Sequence, residues 1–104
     1  MLNQCILVGR VVQIKEENKT TILTLRIARN YKDPDTEEYE VDNLDVQLSE
    51  HLSATAKEYL SEESTVGVKA RIASEKRIVA NDEITLHTII AEKLTFINTK
   101  KSEN

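Results

Sequence analysis

The sequence predicts an all-β fold: a five-stranded barrel with one α-helix between strands 3 and 4. Three observations carry this reading. Apolar residues recur at period two in several separate stretches, the pattern of strands with one buried face. The period changes to that of a helix only once, after Leu48. Polar segments, one of them holding the only proline, separate the periodic stretches, as turns between antiparallel strands require. At 104 residues the chain is long enough for one core and too short for two. Residues 1–98 are read as the domain, and 99–104 as a polar C-terminal tail.

The first strand begins in the run Leu2-Asn3-Gln4-Cys5-Ile6-Leu7-Val8-Gly9-Arg10-Val11-Val12. It is apolar on both faces, with Cys5, Leu7 and Val11 on one side and Ile6, Val8 and Val12 on the other. One face can fill the domain's own core, and the other asks for a second subunit. Gly9 stands where a barrel strand would bend or bulge. Glu16 to Lys19 form a polar turn. Thr20 to Asn30 then make the second strand, with Leu23, Leu25 and Ile27 alternating against Thr24, Arg26 and Ala28. Tyr31 to Glu40, with Pro34 beside Asp33 and Asp35, read as a loop. Val41 to Leu48 alternate again, with Leu44, Val46 and Leu48 inward and Asn43, Asp45 and Gln47 outward.

Ser49 is a good N-cap for a helix whose apolar face is Leu52, Ala56, Tyr59 and Leu60, which places Tyr59 in the core. Glu62, Glu63 and Ser64 break the pattern. The fourth strand covers Thr65 to Ala73, with Val66, Val68, Ala70 and Ile72 inward and Lys69 and Arg71 outward. Ser74 to Arg77 either continue that strand or open a hairpin arm. Asn81-Asp82 is the next turn. Glu83 to Ile97 form the last strand, through Ile84, Leu86, Ile89 or Ile90, and Leu94, with Phe96 packing near the barrel end. Three strands, a helix and two strands are the order of the oligonucleotide-binding (OB) barrel.

Composition narrows the function. Charged residues are 31% and hydrophobic residues 39% of the chain, a globular balance. No apolar run approaches the roughly 20 residues of a membrane helix, and the N-terminus lacks the pattern of a secretory signal. The single Cys5 allows no internal disulfide and is read as a small buried hydrophobe. A cytoplasmic protein with no membrane partner is therefore expected. His51 and His87 lack companion ligands at metal-binding spacing. The only glycines, Gly9 and Gly67, make no phosphate-cradling loop. No nucleophile–base arrangement stands out, so neither a cofactor nor catalysis is expected. Net charge is −4, yet six carboxylates lie between Asp33 and Asp42 with no Lys or Arg among them, and the remainder carries +2. A mildly basic surface can coexist with one acidic loop.

Three segments bear a family likeness. The opening, with Asn3, its apolar run and Val8-Gly9-Arg10, resembles the N-terminus of the bacterial single-stranded DNA-binding protein family. Ala56-Lys57-Glu58-Tyr59-Leu60 resembles the end of that family's helix. Ser64-Thr65-Val66-Gly67-Val68-Lys69-Ala70-Arg71-Ile72 resembles its fourth strand. The matches keep order and spacing from about residue 2 to residue 97.

The resemblance implies an OB fold that holds single-stranded DNA by stacking bases on aromatic rings above a basic groove, each stacked base contributing about 1–3 kcal/mol. Tyr31 falls where the family commonly places a stacking aromatic. Arg77 stands near a further stacking position, and a guanidinium can stack. Arg10, Arg26, Lys69, Arg71, Lys76 and Arg77 are the phosphate-contact candidates. The chain departs from the family in having no Trp, one Phe and three Tyr. Asn43, Asp45, Gln47 and Ser49 stand at outward or aromatic positions, the 33–42 loop is acidic, and Lys100 to Asn104 lack an acidic tip. The expectation is modest, salt-sensitive, sequence-independent binding of single strands in replication, recombination or repair, by a homodimer or homotetramer that can also meet replication or repair proteins. Two rivals share the fold: a shortened protein of the primosomal replication protein B type, and a protein-interaction module in which DNA binding is weak or lost.

Overall fold

The computed structural model describes residues 1–98. It contains β1 (Cys5–Glu17), β2 (Thr20–Lys32), β3 (Tyr39–Leu48), α1 (Glu50–Tyr59), β4 (Thr65–Val79) and β5 (Asp82–Asn98). The strands close into a barrel in the order β1-β2-β3-β5-β4, the five-stranded arrangement with its helix between strands 3 and 4 that the period changes predict. The 99–104 tail lies outside the described residues.

The core follows from alternation. Leu23 and Leu25 of β2 stand in register with Val46 and Leu44 of β3, and with Ile14 and Val11 of β1. Val66, Val68 and Ala70 of β4 complete a cluster of buried apolar side chains. One bulge makes the β1 pattern work. Register shifts between Val11 and Gln13, so the extra residue, Val12, lets both Val11 and Ile14 face inward despite their odd spacing. The bulge is therefore at Val12 and not at Gly9. Gly9 serves a different constraint, close approach. A Cβ there would meet Ile27 Cγ1 at 2.7 Å and the Arg26 carbonyl oxygen at 2.8 Å.

Two polar devices finish β1. The Asn3 side chain accepts from the Ile72 N–H at 3.0 Å and donates to the Ile72 carbonyl at 2.7 Å. It thus extends the β1–β4 ladder past Cys5↔Ala70 without another strand residue. Past Arg10↔Thr65, the Val11 N–H donates to the Ser64 carbonyl and the Val11 carbonyl accepts from the Glu63 N–H, which satisfies the β4-facing backbone groups of β1 up to the bulge.

The helix forms as its cap predicts, with Ser49 Oγ accepting from the Leu52 N–H at 3.2 Å. Ala56 and Leu60 are buried. Ser53 and Thr21 share a buried hydroxyl hydrogen bond of 2.8 Å, and Lys57 pairs with Glu16 of β1. Tyr59 corrects the sequence reading. It is 49% exposed and lies against Phe96, ring centroids 5.6 Å apart, on the outside of the barrel and not in the core that Ala56 and Leu60 enter.

Strand ends account for the other differences. β2 continues through Lys32, so Tyr31 is a strand residue and the loop shrinks to 33–38. β4 continues through Val79, and the turn is centred on Ala80 and Asn81, whose φ values of 51° and 70° are those of a tight hairpin turn. Ile72 is not inward: it is 45% exposed, since β1 no longer flanks β4 past Ala70. Ile84 and Leu86 are likewise exposed on the projecting hairpin.

Gly9→Ala is expected to destabilise the fold by about 1–3 kcal/mol, the usual cost of overpacking, because a backbone oxygen blocks the new methyl group. Gly67→Ala, whose Cβ would find its nearest neighbours at 3.7–3.8 Å, is the control and should change stability by less than about 0.5 kcal/mol. Denaturant unfolding of both variants checks this; equal losses would count against the close-approach account.

Candidate nucleic-acid interface

β3 and β5 meet in parallel at only two residue pairs, Val46↔Ile89 and Gln47↔Ile90. Both strands begin seven residues upstream of that contact, at Tyr39 and Asp82. Because the pair is parallel, both upstream segments leave the barrel on the same side, each with its antiparallel partner. The results are two arms: β2–β3 beyond Arg26↔Asn43, where the pairing of β1 with β2 ends, and β4–β5 beyond Ile72↔Ile89, where neither β1 nor β3 pairs with it.

The β2–β3 arm carries Tyr31, 62% exposed. Lys32 and Tyr39 are register partners beside it, with Lys32 Nζ 5.5 Å from the Tyr39 ring centroid, a cation–π contact. Between Ala28↔Val41 and Lys32↔Tyr39, three residues of β2 face the single residue Glu40 of β3. This irregularity sets the direction of Tyr31. Arg29 bridges it. Its Nη1 donates to Glu40 at 2.7 Å, its Nη2 to Asp42 at 2.9 Å and its Nε to Asp42 at 3.2 Å. Asp42 and then Tyr31 favour the charged guanidinium and raise its pKa further. Arg29 in turn holds the Asp42 carboxyl below its ordinary range. On the turn, the Asp35 N–H donates to Asp33 at 2.7 Å and lowers that carboxyl's pKa. Two of the six acidic residues of the segment thus share one arginine from outside it, which offsets half of their charge.

The β4–β5 arm carries Lys76 and Arg77. As consecutive strand residues they point to opposite faces, so the structure separates this pair. Arg77 Nε lies 3.0 Å from Glu75. The remaining candidates lie on the outside of the barrel. Arg10 and Arg26 are register partners on β1 and β2, bordering an open hollow floored by Val8, Ile27, Ala28 and Val41; Arg10 also reaches Glu63 at 3.3 Å. Lys69 faces Ile6 on one side and Lys93 on the other. Arg71 lies 3.9 Å from Glu92. The candidates therefore form an arm group (Tyr31, Lys76, Arg77) and a barrel group (Arg10, Arg26, Lys69, Arg71), not one continuous row.

Arg29, Lys32 and Lys93 were not among the sequence candidates. Lys32 and Tyr39 flank the turn symmetrically, so the shorter loop would have paired them. Lys93 follows only from the β4–β5 register. Arg29 has no sequence signal, because its partners lie 11 and 13 residues away across an irregular pairing.

The outer face of β1 is apolar and open, as its two-sided pattern predicts. Ile6 is 61% and Val8 51% exposed, and Gly67 lies between Val8 and Ile97. Among the described residues no cluster of His, Cys, Asp or Glu could hold a metal ion, and no helix is long and apolar enough to cross a membrane.

Residues 2–97 match the family model described as "Single-strand binding protein family". Three solved structures share the fold. A Plasmodium falciparum single-stranded DNA-binding protein in complex with single-stranded DNA is 21% identical, with a TM-score of 0.70 over 94% of this chain and 97% of that one. The mitochondrial single-stranded DNA-binding protein of S. cerevisiae is 15% identical, with a TM-score of 0.67 over 95% and 99%. A small single-stranded DNA-binding protein from Streptomyces coelicolor is 16% identical, with a TM-score of 0.62 over 93% and 96%. No curated protein matches the chain at the sequence level.

The ion pairs give a pH dependence with a defined sign. Asp42 is lowered by Arg29 and Glu16 by Lys57. A carboxylate whose folded pKa lies below its unfolded value stabilises the fold fully above the unfolded value, near 4, and that stabilisation is lost as pH falls through the folded pKa. Thermal melts at decreasing pH should show a decline in Tm beginning near about pH 4. The decline should be shallower in the Asp42→Asn, Glu16→Gln double variant. Parallel profiles for the two proteins would contradict the assignment.

Proposed function

The chain belongs to the single-strand binding protein family, and from that premise we propose that it binds single-stranded DNA without sequence preference, by backbone capture on basic positions and base stacking on Tyr31. One observation supports this most. Two arms leave the barrel on the same side, one presenting an exposed tyrosine and the other carrying a cation on each face, Lys76 on one and Arg77 on the other. An extended polynucleotide suits such a space, because bases can stack on a ring while phosphates follow cations. Arg10, Arg26, Lys69 and Arg71 form a second, separate basic group on the barrel wall, with Lys69 beside Ile6.

Magnitudes set the expected strength. One tyrosine platform contributes about 1–3 kcal/mol, and each phosphate contact adds a salt-dependent part through counterion release. With few aromatics and net charge −4, capture depends on local cations, so affinity is modest and salt-sensitive. The role proposed is protection of single strands during replication, recombination or repair in the cytoplasm. A second copy of the chain covers the open β1 face at Ile6 and Val8, giving a homodimer or a tetramer built from it.

A salt-series titration of a labelled oligo(dT) tests the binding. The affinity should fall linearly in log–log form, losing about 0.7 of slope for each phosphate contact removed. Tyr31→Ala with Arg71→Ala should weaken binding by roughly tenfold or more. If the wild-type chain shows no association at low salt, the protein-interaction reading replaces this one. Light scattering on the same samples tests assembly: a multimeric mass for the wild type and a monomeric mass for Ile6→Glu, Val8→Glu. A monomeric wild type would remove the second subunit from the account.

A further inference from the structure

The β2–β3 arm is irregular where it carries Tyr31. Three residues of β2, Arg29 to Tyr31, oppose the single residue Glu40, so backbone pairing alone cannot fix the direction of the ring. The arm also ends in a run of carboxylates, the wrong charge beside a polynucleotide. One side chain meets both problems. Arg29 commits all three nitrogens of its fork, Nη1 to Glu40 and Nη2 with Nε to Asp42. It thereby stitches β2 to β3 across the gap in the ladder, next to Tyr31.

We infer that Arg29 is the positioning residue of this arm: it aims Tyr31 across the bulge and offsets part of the negative charge of Glu40 and Asp42 that face it. The inference rests on the single-strand-binding reading and adds to it a residue that touches no DNA. Three of its five N–H donors are already held by Glu40 and Asp42, so Arg29 acts through Tyr31 and through local charge. Lysine cannot substitute in full, because a point charge does not reproduce the planar fork.

The chain has no tryptophan, so Tyr31→Trp supplies a single reporter whose fluorescence is quenched when a base stacks on it. In that background, a dT oligomer of about 16 nucleotides is titrated against Arg29, Arg29→Gln, Arg29→Lys and Arg29→Gln with Glu40→Gln and Asp42→Asn. Circular dichroism on each sample establishes that the barrel is folded. Arg29→Gln should weaken binding about two- to fivefold, the range of exposed ion-pair energies, and reduce the quench at saturation while leaving the salt slope unchanged. Arg29→Lys should recover affinity but not the quench. The triple variant should recover affinity through lost repulsion, again without the quench.

A full quench at saturation in Arg29→Gln overturns the positioning role. A salt slope reduced by about 0.7 in Arg29→Gln makes Arg29 a direct phosphate contact and overturns it as well. These failures leave the single-strand-binding reading intact. Absence of any association by the chain with its native Arg29 and Tyr31 overturns both.

Discussion

Two residue pairs close the barrel. Val46↔Ile89 and Gln47↔Ile90 are the only parallel pairing among the described strands, and without them β3 and β5 would be free edges. Closure buries Val46 completely and removes the edges from the barrel body, where exposed ladders would otherwise invite pairing with other chains. The same contact governs the outline of the molecule. A parallel meeting point sends two hairpins off on one side, whereas an antiparallel one would have sent them to opposite sides.

The arms explain how an acidic chain can carry a nucleic-acid interface. Net charge describes the whole surface, but a polynucleotide meets only the part within about a Debye length, roughly 10 Å at moderate salt. Arg29 offsets one of the two charges of Glu40 and Asp42 at the base of the acidic turn, and Lys32 sits over the Tyr39 ring. The carboxylates left on the turn lie at the arm's tip. On the barrel wall Arg10 meets Glu63 and Arg71 meets Glu92, while the register partners of Lys69 are Ile6 and Lys93.

Much of the fold was legible because it depends on periodicity. Leu23, Leu25, Val46, Val66 and Val68 alternate with polar residues, and a half-buried strand has few other ways to be written. Ser49 marked the helix start for an equally local reason, since its hydroxyl satisfies an N–H three residues away. Ile72, Ile84 and Leu86 misled for a shared reason. Each sits at a correct apolar phase on a hairpin that has already left the barrel, and phase carries no information about where the supporting layer ends. Tyr31 was singled out by family likeness, but its place on a strand beside a bulge was not readable from composition, which makes Asp33 and Pro34 look like the heart of a longer loop.

What the sequence determined by itself is the order of elements, the inward faces of β2 and β3 and the two-sided apolar character of β1, all consequences of local pattern. Tertiary structure alone decided the bulge at Val12, the Asn3 clamp on Ile72, the shared side of the two arms and the pairing of Arg29 with Glu40 and Asp42. These depend on register between distant strands. Register is set by how the whole barrel closes, and a closure made of two residue pairs leaves no periodic trace in the chain.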